Sequence, residues 1–134
     1  MESIFNFKSL AKHCEYLALD KSEIRSLPEF DEGGLCHCTL ASGKTSRAVK
    51  HQTVREIWYF LSGKGEIWQD RQSIHETKPF KSGDSFTIPL GNSFQFRNTG
   101  KENLTILIVT IPKGPVANEA NQKKLISSTY RENT

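Results

Sequence analysis

The chain has 134 residues, 36% hydrophobic and 25% charged, a length within the ~100–200 residues of one domain, so a single domain over 1–134 is expected. That balance is too apolar for a disordered chain and, at a mean hydropathy of −0.52, too polar for a membrane protein. Eighteen Lys and Arg against 15 Asp and Glu leave a net charge of +3, dispersed along the chain, so neither nucleic acid nor a membrane surface is an expected partner.

The opening MESIFNFKSLAKHCEYLALD has no basic stretch leading into an apolar run of signal-peptide length, and no apolar run reaches the ~18 residues of a membrane span. A cytoplasmic location is the expectation. Leu10, Cys14, Leu17 and Ala18 recur at helical spacing, which predicts a short helix in an N-terminal extension over 1–32. The three cysteines are too few and too irregular for a secreted disulfide scaffold. Cys36 and Cys38 flank His37 in LCHCTL and invite a zinc reading. On a strand, however, the two thiols share one face and His37 takes the other, so the thiols read as small hydrophobes in a barrel wall.

After Pro28 and the turn signal Asp31-Glu32-Gly33-Gly34, the chain becomes a series of short β-rich runs. They are Leu35 to Ala41, Ala48 to Gln52, Glu56 to Leu61, Glu66 to Gln69, Phe86 to Pro89, Phe94 to Arg97 and Leu104 to Ile111. Ser62-Gly63-Lys64-Gly65 reads as a hairpin, Ile88-Pro89-Leu90-Gly91 as a type I turn with Pro second, and Asn98-Thr99-Gly100 as a corner. The stretch Asp70 to Lys78, with His75, reads as a polar loop. From Pro112 the chain is a polar tail, either a docked helix or frayed, whose Lys123, Lys124 and Arg131 read as a solvated surface. Short strands at this spacing predict an all-β sandwich or barrel.

Two segments carry the most information. Gly43, His51, Glu56 and Gly63, followed by Gly83, Pro89, Gly91 and Asn98, fall at the spacing of the two signature motifs of the cupin superfamily, G-x5-H-x-H-x4-E-x6-G and G-x5-P-x-G-x2-H-x3-N. Eight of the ten fixed positions match, and 19 residues separate the two motifs. The chain thus resembles a small cupin over about 33–112, which implies a double-stranded β-helix, or jelly-roll barrel, usually dimeric. The remaining two positions are Val49 and Phe94, where metal-binding cupins have histidines. What the resemblance leaves of the metal set is His51 and Glu56. One imidazole and one carboxylate fall short of the three protein ligands of a catalytic zinc or facial-triad iron site. No metal cofactor is therefore expected, unless His37 or a neighbouring cysteine substitutes.

Alternation along the strands puts Trp58 and Phe60 on the face of Glu56, and Phe96 on the face of Phe94. These predict an aromatic-lined pocket with Trp58, Phe60, Phe94, Phe96 and His37 as ligand-binding residues and His51 and Glu56 as candidate catalytic residues. Side chains filling the barrel are the alternative. His51, oriented by Glu56, suits proton abstraction beside a carbonyl, a chemistry that resembles that of the metal-independent cupins, the sugar-nucleotide epimerases and ketoisomerases. His13, in the N-terminal extension, receives no role. Asp84 reads as a turn acceptor, and Trp68 as outer-face packing, a dimer contact or a ligand platform. No Ser-His-Asp order and no phosphate loop is present. Three functions follow: a metal-free small-ligand binder, an isomerase-like or substitute-ligand metal enzyme, and a structural homodimerisation module.

Overall fold

The computed structural model describes residues 3–114. Strands β1 (Tyr16–Leu17), β2 (Glu23–Phe30), β3 (Gly33–Leu40), β4 (Val49–Lys50) and β5 (Arg55–Ser62) are followed by β6 (Lys64–Arg71), β7 (Ile74–Lys81), β8 (Ser85–Ile88), β9 (Ser93–Asn98) and β10 (Leu104–Ile111). They form a six-stranded sheet, in the order β1-β2-β3-β10-β5-β8, facing a four-stranded sheet, β4-β9-β6-β7. Every pairing is antiparallel. Among the described residues no helix is long and apolar enough to cross a membrane.

Alternation builds the interior. Leu104, Ile106 and Ile108 of β10 point inward beside Cys38 and Leu40 of β3 and Trp58 and Phe60 of β5. The facing sheet contributes Ile67, Phe80, Phe94 and Phe96. His37 takes the opposite face of β3 from Cys36 and Cys38, level with Leu107 and Arg25. Burial pushes the Cys36 thiol up to about 12 and the Cys38 thiol well above its ordinary value, so both stay protonated. Gly65 is required by packing: a Cβ there would lie 2.1 Å from the Arg97 carbonyl oxygen and 2.7 Å from the Phe80 ring. That space lets Phe80 stack on Phe60 with ring centroids 3.9 Å apart.

Four local expectations are corrected. The N-terminal helix is absent; Tyr16–Leu17 pairs with β2 in a tight hairpin whose Lys21 has φ 80°, because β2 is drawn into the ladder with β3. Ser62 to Gly65 is not a hairpin. Gly63, at φ 87°, turns the chain from one sheet to the other, and β5 pairs with β10 and β8 instead. The stretch from Asp70 to Lys78 is no loop: β6 and β7 form the hairpin, turning at Gln72 and Ser73. The Pro89 turn begins one residue later, with Asn92 N donating to the Pro89 carbonyl (3.1 Å) and Gly91 at φ 86°, a type II geometry. The corner at Asn98 is as expected: Gly100 N donates to Asn98 Oδ1 (2.9 Å), while Asn98 Nδ2 donates to the carbonyls of Leu40 (2.9 Å) and Glu102 (2.8 Å). Asp84 accepts from Lys81 N (2.9 Å) as a turn residue. The tail over 115–134, with Lys123, Lys124 and Arg131, lies outside the described residues.

Candidate functional site

His51 follows β4 directly, and its carbonyl accepts from Gly91 N (3.0 Å), so the loop of the second motif holds the histidine of the first. Its Nε2 lies 3.5 Å from Glu56 Oε2, with side chains 21% and 11% exposed. Glu56 is further fixed by Trp58 Nε1, which donates to Oε1 (2.9 Å), and by Thr110 Oγ1, which donates to Oε2 (3.3 Å). The His51 ring rests against Phe94, centroids 5.4 Å apart. The sequence reading thus paired His51 with Glu56 as the structure does.

Asp20 was missed. It is buried in the β1–β2 turn, where its Oδ1 accepts from Ser22 N (2.9 Å) and Ser22 Oγ (2.5 Å). It lies within electrostatic reach of both His51 and Glu56. The available signal was a charged residue two before a serine, the pattern of an Asx turn, in an otherwise apolar run. Burial pushes the carboxyls of Asp20 and Glu56 above their ordinary values, opposed by their hydrogen bonds and by His51.

The other predicted residues fall elsewhere. Trp58, Phe60, Phe94 and Phe96 are 0–1% exposed and pack on one another, Trp58 meeting Phe94 at 5.6 Å and Phe96 at 4.9 Å. They fill the barrel rather than line a pocket. His37, offered as a ligand residue, is on the outer side of its sheet; its Nδ1 is buried without a hydrogen-bond partner, and burial beside Arg25 lowers its proton affinity. Trp68 packs on the outer side of β6 near His75 (6.4 Å), and His75 is exposed on β7.

The residues present do not fit the metal of the resembled barrels. Val49 and Phe94 are cross-strand partners, each 1% exposed, so apolar groups occupy both histidine positions. Among the described residues no cluster of three His, Cys, Asp or Glu side chains is arranged to hold an ion. An open groove of about 410 Å³ lies elsewhere, between β6, β7 and β8. Its walls include Ile67, Gln69, Arg71, Ile74, Lys78 and Phe86. No sequence signal marked it, because its polar residues resemble an ordinary solvated strand face.

Comparison with known proteins gives a consistent placement. An uncharacterised protein of Methanocaldococcus jannaschii is 30% identical over 102 residues, 72% of this chain and 78% of that one. A crystal structure from Bacillus halodurans superposes with a TM-score of 0.65 at 20% identity, covering 69% of this chain and 72% of that chain. A predicted oxalate decarboxylase from Thermotoga maritima does so at 0.60 and 26% identity, covering 68% and 80%. The Schizosaccharomyces pombe Cnp3 cupin domain gives 0.62 at 17% identity, covering 77% and 69%. The profile of the cupin domain matches residues 36–110, and with the double-stranded β-helix described above the chain belongs to the cupin family.

Proposed function

We propose that this cupin binds a small organic ligand without a resident metal ion, as a binding or regulatory module. The observation that carries this reading is the division of labour inside the barrel: Val49 and Phe94 close the metal position, while an amphipathic groove stays open between the sheets. A Bacillus subtilis oxalate decarboxylase of similar fold has Mn(II) centres; the donor set here gives no basis for carrying that chemistry over. Elemental analysis of untagged protein, before and after exposure to iron, manganese, zinc and nickel, tests the metal half of the reading. Near-stoichiometric retention of any of them sinks it. A metabolite screen by thermal shift tests the ligand half, and the absence of any stabilising compound would count against it.

The enzymatic reading rests on one observation, the partly exposed His51 backed by Glu56, an arrangement suited to general base chemistry. It predicts that His51→Ala abolishes any turnover of a compound that the screen identifies, assayed by product formation, while the fold survives.

The proposed assembly is a homodimer joined through the outer face of the six-stranded sheet. Ile57, Tyr59 and Leu61 line one strand there and are 45%, 47% and 40% exposed, an apolar row that a second copy would cover. Tyr59→Asp should then convert the dimer to monomer in sedimentation velocity, and a monomeric wild-type protein would remove the proposal. The three free cysteines support a cytoplasmic location.

A further inference from the structure

The groove lies where the two sheets part. β7 ends the four-stranded sheet and β8 ends the six-stranded one, and no ladder joins these two edges. The inner wall is apolar: Ile67 is buried, and the Phe86 ring packs on Trp58 (5.2 Å) and Phe60 (5.4 Å). Ile74, 76% exposed, forms an apolar lip beside the β6–β7 turn. An exposed isoleucine facing a concavity is a surface with nothing yet packed on it.

The other end of the groove is polar and held in one arrangement. Gln69 Nε2 donates to the Thr87 carbonyl (2.9 Å), which ties β6 to β8 across the gap. Asn92 Nδ2 donates to Gln69 Oε1 (2.9 Å), and Arg71 Nε in turn donates to Asn92 Oδ1 (2.7 Å). Arg71 also donates from Nη2 to the Leu90 carbonyl (3.3 Å). Both partners of the guanidinium are neutral acceptors. Among the described residues no carboxylate reaches ion-pair distance of Arg71, whereas the charge of Lys78 is met by Glu76 at 3.8 Å. Two carboxylates border the groove: Asp70 alternates to the other face of β6, with Trp68, and Glu76 is neutralised by Lys78. A fixed planar cation with spare N–H donors, unpaired beside an apolar wall, is matched to an acidic oxygen group.

We infer that the groove takes an amphipathic anion: a short apolar body lying on Ile67 and Phe86 beneath Ile74, with one carboxylate or phosphate head on Arg71. This rests on the reading of the protein as a small-ligand binder and adds the chemical class. Lys78, on a flexible stem at the rim, supplies a second and weaker contact.

The test is a titration of the full-length protein, followed by amide chemical shifts, with three matched probes: 4-phenylbutyrate, 4-phenylbutyl phosphate and 4-phenylbutanol. At least one anion should bind about tenfold more tightly than the alcohol, a factor typical of one good charge-assisted contact. The shifts should centre on Ile67, Arg71 and Phe86, and the affinity should weaken as salt is raised. Arg71→Gln should remove most of that advantage and leave the alcohol unchanged. A second variant, Ile74→Asp, places a carboxylate opposite Arg71 in the β6–β7 register and should weaken anions similarly. The preferred head separates an organic acid from a phosphate ester. Equal binding of all three probes in the groove overturns the anion assignment and leaves the ligand-binding reading standing. No shift in the groove with any probe overturns the groove as the site, and a thermal-shift hit mapping elsewhere would show that the broader reading survives it.

Discussion

Val49 and Phe94 stand directly opposite each other in the β4–β9 ladder. The two positions at which this chain departs from the metal-binding motifs are therefore neighbours in space, and their side chains jointly fill what two imidazoles would otherwise leave polar. Phe94 also presses on both His51 (5.4 Å) and Trp58 (5.6 Å), so the replacement is woven into the packing of the barrel.

Restoring both histidines should restore metal binding. The double variant Val49→His, Phe94→His would add two nitrogen donors to His51 and Glu56, a sufficient number for a divalent ion. Elemental analysis should find close to one equivalent of metal in the double variant and little in either single one. Without metal the double variant should be less stable by roughly 2–4 kcal/mol, the cost of replacing a buried aromatic ring by a polar one. An empty but folded double variant would mean that the backbone itself has moved away from metal-site geometry.

Glu56 should make stability fall as the pH rises. Burial pushes its carboxyl above the ordinary value of 4.5. A carboxyl that holds its proton more tightly in the folded chain favours folding below its unfolded value, and that contribution is lost as the pH climbs through its folded value. Glu56→Gln removes the titration, so urea midpoints should shift in favour of the variant between pH 4 and 7, by ~1.4 kcal/mol for each unit of upward displacement. Asp20→Asn should behave alike, since burial also raises Asp20. Shifts in the opposite direction would show that His51 holds these carboxylates ionised.

The stack of Phe60 on Phe80 depends on the missing side chain at Gly65. Gly65→Ala should lower stability by about 1–3 kcal/mol through overpacking against the Arg97 carbonyl and the Phe80 ring. Phe80→Ala should cost about 3–5 kcal/mol through the cavity it leaves. In the double variant the two losses should not add, because removing the ring also removes part of the clash. Guanidinium denaturation of the four proteins decides this.

The β6–β7 turn places Gln72 at φ 51° and Ser73 at φ 70°. Two consecutive positive values define the type I′ hairpin turn, which Asn-Gly fits and L-residues with larger side chains resist. Gln72→Asn with Ser73→Gly should therefore raise stability by about 1 kcal/mol in a denaturant titration, and a loss would indicate that the tip of this hairpin is restrained by something other than its own backbone.

That same turn shows why part of the fold escaped reading. The strands of the barrel wall were legible because they alternate: Glu56, Trp58 and Phe60 inward, Ile57, Tyr59 and Leu61 outward. β7 has no such rhythm. It is an edge strand whose one buried side chain is Phe80, and its turn uses glutamine and serine in place of the residues that announce a hairpin. The N-terminal strands were misread for a different reason. Leu10, Cys14, Leu17 and Ala18 fit a helix locally, and it is the pairing of β2 with a strand beyond them that decides the conformation. At the site, the pairing of His51 with Glu56 followed from motif spacing alone. The filled interior did not, because alternation says which way a ring points and not whether the opposite sheet leaves room for it. The groove was hidden because it is assembled from three strands, one of them unread.

The state of the three cysteines has a practical consequence for spectroscopy. Cys38 is buried and Cys36 only partly exposed, and desolvation holds both as thiols in the barrel wall; Cys14 is partly exposed ahead of β1, its Sγ donating to the Tyr16 carbonyl (3.1 Å). Maleimide chemistry acts on accessible thiolates, and the two barrel-wall thiols are held protonated, so Cys14 is the favoured attachment point. A fluorophore or spin label can be placed beside the N-terminal segment with no change of sequence, leaving the barrel, the His51–Glu56 pair and the groove untouched while the chain is watched in solution.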